Sequence, residues 1–207
     1  MSARDAAYAE AKRRILVGEW EPGELLSEAA VGEELSMSRT PVHAAFVQLA
    51  AEGLLELRSR QGAVVTPIRR ADARDLLDMR SAIEVGALRG VLRSIDATRA
   101  LVTALGESID AQAAAHAAGD ADAFAAADEA FHRAVIEGSG NRVADELDRQ
   151  LSDRQQRLRR QALGNPSVDQ ELLIDEHRLL LDAVQQEDVD RFGAVLHPHV
   201  SRQLGAL

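Results

Sequence analysis

Four side chains in the second half of the sequence have the types and spacing of a metal site. Asp128 and His132 lie four apart, so on a helix they share a face, with Phe124, Phe131 and Val135 beside them. His177 sits in Glu176-His177-Arg178-Leu179-Leu180, on a stripe with Leu173, Leu180, Leu181 and Val184. His199 follows Phe192, Val195 and Leu196 on a third stripe. Three inward imidazoles and one carboxylate suit Zn²⁺, Ni²⁺, Mn²⁺ or Fe²⁺, and the donor types alone do not choose among these. A histidine on an apolar face more often serves as a hydrogen-bonded core residue, and Asp128 could simply solvate a helix. Burying all four together without a cation is costly, which favours the metal reading. His197 points roughly 200° away from His199 on a helical wheel and is left out. His116 lies in an alanine-rich stretch and reads as a surface residue without a partner.

A second group of residues suits nucleic acid. In Ser36-Met37-Ser38-Arg39-Thr40-Pro41-Val42-His43 a polar turn leads into a helix with proline in its first turn. Ser38 and Thr40, with the free backbone N–H groups, suit phosphates. Arg39 is a long donor of the kind that reads guanine. Val42, Ala45, Phe46 and Leu49 form the inner face, and a preceding helix over 28–35 fixes the entry angle. This is the layout of a helix-turn-helix recognition helix. A capped surface helix with a chance arginine fits the spacing equally well.

The elements that must hold these groups follow from periodicity and punctuation. A first helix runs from Ala3 to Val17 and ends at Gly18. Glu21-Pro22-Gly23-Glu24 is a turn, and Ser27 caps the helix that reaches Leu35, with Gly32 inside it at a cost of up to ~1 kcal/mol. Ser38 caps the next helix, which Gly53 stops. Leu55-Glu56-Leu57 and Ala63-Val64-Val65 read as a hairpin around Arg58–Gly62, and Thr66-Pro67 closes the segment. Beyond Ala71 the pattern is helical over about 71–94, 97–118, 120–137, 142–162, 168–186 and 188–205. The breaks fall at Gly119-Asp120, Gly138-Ser139-Gly140-Asn141, Gly164-Asn165-Pro166 and Glu187-Asp188. Gly86 or Gly90 could break the first of these helices, and Pro198 could kink the last. The fold class is therefore mainly α. A winged helix-turn-helix domain over 1–67 precedes an all-α antiparallel six-helix bundle over 68–207.

Composition narrows the setting. The absence of cysteine rules out disulfides and thiolate metal sites and fits a reducing cytoplasm. No run of about 18 apolar residues predicts a membrane span, and the N-terminus lacks a signal-peptide core. The net charge is −10, and even residues 1–67 carry seven Lys+Arg against ten Asp+Glu. Bulk charge thus disfavours tight non-specific DNA binding, so affinity must come from the local placement of Arg39, His43, Arg58 and Arg60 and from doubling in a dimer.

The run Ile15-Leu16-x-Gly18…Pro22-Gly23-x-x-Leu26-Ser27-Glu28…Leu35-x-x-Ser38-Arg39-Thr40-Pro41-Val42…Leu49-x-x-Glu52-Gly53-Leu54…Gly62-x-Val64 resembles the GntR family of bacterial transcription regulators. The resemblance implies that Ser38, Arg39, Thr40 and His43 meet a palindromic operator in the major groove. It also implies that the wing, with Arg58, Arg60 and Gly62, approaches the minor groove or backbone. Two residues depart from the family pattern. His43 stands where arginine is usual, and Gly32 where alanine is usual. Histidine is shorter, is largely neutral at pH 7 as a residue type, and lacks the bidentate guanine contact. The departures imply an altered operator or weaker binding.

The pattern Asp128-x-x-Phe131-His132…Ser139-Gly140-Asn141…Glu176-His177-Arg178…His199 is similar to the FCD effector domain of the FadR subfamily, and the six-helix count to its VanR-like group. The resemblance implies a divalent metal held by Asp128, His132, His177 and His199, and a small organic acid as effector. Arg80, in Leu77-x-x-Arg80-x-x-x-Glu84, and Asn141 are the implied effector contacts, although Asn141 could instead cap the next helix. Arg154, Arg157, Arg159 and Arg160 form a further basic cluster, with Arg159 and Arg160 read as a solvated face. The expected protein is a cytoplasmic, homodimeric, ligand-responsive repressor that binds double-stranded operator DNA.

The alternative is a metal-dependent helical-bundle enzyme. Glu129-x-x-His132 supplies half of a di-metal carboxylate signature, but the second Glu-x-x-His is missing. Ile174 and Leu196 occupy the positions three before His177 and His199. No His-Glu-x-x-His or nucleophile motif is present. The chain is therefore read as a non-enzyme.

Overall fold

The computed structural model describes residues 2–163 and 169–206 and divides into two compact units, Met1–Arg69 and Arg70–Leu207. The expected turn at Gly164-Asn165-Pro166 lies outside the described residues.

In the first unit α1 covers Ala3–Leu16, α2 Glu28–Glu34 and α3 Arg39–Ala51. Ser2 and Asp5 start α1 with a reciprocal capping box, each side chain accepting from the other's backbone N–H at 3.1 Å. Ser27 and Ser38 occupy the N-cap positions of α2 and α3, but neither side chain makes a cap hydrogen bond. Their hydroxyls are thus not committed to their own helices. Phe46 and Leu49 are fully buried against Ile15, Trp20, Leu54 and Val65, and Trp20 meets Phe46 edge-on at 6.5 Å. Each such large side chain contributes roughly 1.5–3 kcal/mol on burial.

Strands β2 (Leu55–Arg58) and β3 (Gly62–Val65) form the expected hairpin. A third strand, β1 (Leu25–Leu26), pairs antiparallel with β3, so the sheet order is β1-β3-β2. Two residues are too few to show a period, which is why this strand is invisible in the sequence. Gly62 has φ +115°, and a Cβ there would lie 2.0 Å from the Leu26 carbonyl oxygen. This corrects the expected DNA-contact role of Gly62: it is buried, and it lets the start of β3 lie close against the end of β1 beside it in the sheet. Gly32 is crowded too, though less severely. A Cβ would come within 2.9 Å of the Met37 carbonyl, where the chain turns tightly from α2 into α3.

The second unit consists of α4 (Arg70–Val91), α5 (Ile95–Ala118), α6 (Ala121–Gly138), α7 (Arg142–Leu163), α8 (Gln170–Gln185) and α9 (Val189–Ser201), then a 3₁₀ turn, Arg202–Ala206. Ser94, Asp120, Asp169 and Asp188 cap α5, α6, α8 and α9, each accepting from the backbone N–H three residues on. Gly119, at φ +69°, closes α5. Helix α4 runs unbroken through both Gly86 and Gly90, contrary to the expected interruption. Helix α6 packs against α4, α5 and α7, and α9 against α4 and α8. Their facing stripes bury Leu77, Leu88, Leu105, Phe131, Leu180 and Phe192. The inner faces of α4, α6, α8 and α9 therefore line one interior.

Candidate metal centre and recognition helix

Into that interior project Asp128 and His132 from α6, His177 from α8 and His199 from α9, all buried. One ligand atom from each lies within 4.8 Å of all the others. His132 Nε2 is 3.2 Å from both His177 Nε2 and His199 Nε2, and His177 Nε2 is 3.7 Å from Asp128 Oδ1. Two nitrogens each roughly 2.0–2.1 Å from a shared ion stand about 3 Å apart, so the spacing fits common coordination.

The proton positions support the same fit. Every Nδ1 is engaged behind its ring. His177 Nδ1 meets Gln112 Oε1 at 2.6 Å, and the Gln112 amide nitrogen donates to the Ala127 carbonyl. An amide oxygen cannot donate, so His177 carries its proton on Nδ1. His199 Nδ1 donates to Glu176 Oε2 at 2.9 Å. Burial works against the Glu176 charge, but the bonds from His199 and Arg202 outweigh it and hold its pKa at about 2. His132 Nδ1 donates to Glu84 Oε2 at 2.7 Å. Three Nε2 lone pairs therefore face one another in a dry interior, an arrangement that a cation relieves and hydrogen bonding among them does not. Burial, reinforced by cationic neighbours, pushes His132 and His177 well below the ordinary histidine value, so both stay neutral and ready to ligate. Burial opposes the charge of Asp128 too, but the electrostatic pull of His132, His177, Arg159 and Arg80 prevails and keeps its carboxyl below the usual range.

Beside the cluster Arg80 is 2% exposed and donates through Nε to Glu84 Oε1 at 2.9 Å. Its two terminal nitrogens are buried without a hydrogen-bond partner, as is Asp128 Oδ2. Together with Arg159, 3.6 Å from Asp128 Oδ2, Arg80 lines a narrow cleft that also reaches His132 and Gln155. Glu84, Glu129 and Asp148 line the same cleft, and Arg159 lies 3.2 Å from Glu129, so the terminal nitrogens of Arg80 are the guanidinium donors left idle there. Arg159 is 4% exposed, which corrects its reading as part of a solvated face; Arg160 does lie outside, paired with Asp122. Asn141 is absent from this cleft. Its side-chain oxygen accepts from the backbone N–H of Val143 and Ala144 and so caps α7, the alternative role its position allowed. His116 also differs from expectation: it is half-buried and bonded to Gln170 at 2.8 Å. His197 is exposed, as its wheel position implies.

In the first unit Ser38, Arg39, Thr40 and His43 stand exposed at the start of α3, and Arg58 and Arg60 at the hairpin tip. Arg60 has φ +64°, in the tight turn between β2 and β3. Arg39 Nε and His43 Nδ1 both bond the buried carboxylate of Glu28, at 2.6 and 2.7 Å. The supporting roles of Glu28, Glu84, Gln112, Glu176 and Arg159 are not evident in the sequence. Only Glu84 had a local signal, four residues after Arg80 on one helix face.

Comparison with known proteins places this geometry. The profile of the bacterial regulatory proteins of the gntR family matches residues 3–65, and that of the FCD domain matches residues 75–202. The chain belongs to the GntR family. It is a DNA-binding transcription regulator and not an enzyme. It is 28% identical to the HTH-type transcriptional repressor RspR of Escherichia coli K12, over 86% of this chain and 77% of the relative. It is likewise 28% identical to the gluconate operon transcriptional repressor of Bacillus licheniformis, over 91% of this chain and 78% of the relative. A GntR regulator from Rhodococcus sp. RHA1 shares the fold, with a TM-score of 0.78 at 20% identity and all of both chains covered. Among the described residues no helix is long and apolar enough to cross a membrane.

Proposed function

We propose that this GntR regulator is a cytoplasmic, homodimeric repressor of a palindromic operator whose DNA affinity responds to a small organic acid bound beside a divalent metal. The observation that carries the reading is the convergence of three Nδ1-anchored histidines and Asp128 next to the idle donors of Arg80. When bound, the ion supplies Lewis-acid positions that a carboxylate can complete. The residues themselves do the rest. Asp128, His132, His177 and His199 hold the ion, Arg80 pairs with the acid, and Arg159 adds positive potential to the cleft. The name of the gluconate operon relative fits an acid effector. Arg39, Thr40, Ser38 and His43 enter the major groove, and Arg58 and Arg60 track the adjacent backbone.

The acid alters operator affinity only through a difference in its own affinity for the DNA-competent and DNA-incompetent states. Elemental analysis of the purified chain, and of chain reconstituted in turn with Zn²⁺, Ni²⁺, Mn²⁺ and Fe²⁺, tests the metal. About one ion per chain is expected, and no retained ion in any case overturns the site. Titration of the loaded protein with hydroxy, keto and dicarboxylic acids while following DNA anisotropy tests the effector.

A further inference from the structure

Glu28 opens α2, is 7% exposed, and spends both carboxylate oxygens on the recognition helix. Oε2 accepts from Arg39 Nε and Oε1 meets His43 Nδ1, while the side chains of Arg39 and His43 remain 68% and 57% exposed. Burial works against the charge of Glu28, but the bonds from His43 and Arg39 outweigh it, so its carboxyl is depressed and ionised. An ionised carboxylate only accepts. The proton of a neutral His43 ring must therefore sit on Nδ1, and its outward Nε2 must offer a lone pair.

In the major groove adenine N6 and cytosine N4 are donors, whereas guanine N7 and O6 and thymine O4 are acceptors. We propose that Glu28 fixes the His43 tautomer so that residue 43 accepts from a base amino group, adenine or cytosine, and rejects the guanine that an arginine there would read. The exchange of arginine for histidine thus inverts the hydrogen-bond polarity demanded of one operator position rather than merely weakening a contact. Arg39, tied through Nε alone, keeps its terminal nitrogens for a guanine or a phosphate. Glu28 is a positioning residue in this scheme. The inference rests on the reading that the start of α3 enters the major groove.

Two measurements on the full-length chain test it. Long-range ¹H–¹⁵N spectra in mildly alkaline buffer report the His43 tautomer without DNA, with His43→Gln supplying the assignment. An Nδ1–H pattern that is lost in Glu28→Ala, which removes the acceptor altogether, is expected, and a dominant Nε2–H form in the wild type overturns the proposal. Selection from a random duplex library, in the same buffer, then compares the wild type with His43→Arg. The position that changes between them marks the base facing residue 43, and the guanine selected by the arginine variant marks the strand. On that strand the wild type is expected to prefer adenine or cytosine by roughly three- to tenfold, the worth of one net hydrogen bond. Guanine or thymine there, or no position that changes, overturns the inference and leaves DNA binding standing. Failure to enrich any sequence sinks the DNA reading itself and the inference with it.

Discussion

The same three-residue device occurs once in each unit, in opposite surroundings. Glu28 joins Arg39 Nε and His43 Nδ1 at the surface, and Glu84 joins Arg80 Nε and His132 Nδ1 in the interior. Geometry and atom types agree, and burial separates them. Arg39 and His43 are largely exposed, whereas Arg80 and Glu84 are 2% and 0% exposed at the side chain. Burial pushes the Glu84 carboxyl up with Arg80 pulling against it, while the carboxyl of Glu28 is depressed. In water the carboxylate steers two side chains that remain free to meet something else. In the core it neutralises a buried charge and fixes the ring of a candidate ligand.

The largest expected difference is in stability. Glu84→Ala leaves the Arg80 charge buried without its partner, which costs roughly 3–5 kcal/mol. A melting temperature lower by on the order of 10 °C in the metal-free chain is expected by calorimetry. A loss of only a degree or two would break the contrast. Next in size is Arg39→Ala. It removes a groove donor worth about 1–3 kcal/mol and is expected to narrow the gap between specific and random duplexes roughly five- to 150-fold per half-site in an anisotropy titration. An unchanged gap would show that Arg39 faces no base. Glu84→Gln keeps the shape but weakens the hold on His132, so metal affinity is expected to fall roughly 10- to 100-fold in competition with a chelator. Equal affinity would mean that Glu84 does not orient that ligand.

The smallest effect belongs to Glu28→Gln. Its partners Arg39 and His43 are largely exposed, and pairs at the surface contribute less than about 1 kcal/mol, so melting near neutral pH should barely move. Because the folded carboxyl titrates below its unfolded value, its contribution is present above the ordinary glutamate range and is lost as the pH falls through the depressed one. The acid side of the stability profile should therefore flatten slightly in the variant. A flattening on the alkaline side would contradict the sign.

Reading the sequence reached the primary donors and stopped short of what aims them. Asp128 and His132 announce themselves by a spacing of four, and His177 and His199 by their apolar stripes, because local periodicity records which face is inward. Their supports do not, since Glu84 lies 48 residues from His132, Gln112 65 from His177 and Glu176 23 from His199. Contacts that distant leave no trace in a helical wheel. Arg159 was misjudged because a charge on a polar helix normally faces water, and here it turns toward a buried aspartate. The helices themselves were legible from their Asp, Ser and Gly punctuation. Strand β1 was not, because its pairing with β3 depends on a loop that brings Leu25 and Leu26 back across the chain.

Gly62 sets a boundary for anyone who would retarget this regulator. Its missing Cβ is what allows the Leu26 carbonyl to sit against the wing, and every L-amino acid would collide there at 2.0 Å. Positions 58–61 form the exposed tip, with Arg60 at a φ of +64° that disfavours β-branched residues, whereas a library that also varied position 62 would be filled largely with clones whose sheet cannot close. The wing is thus rewritable in text but fixed at its spine.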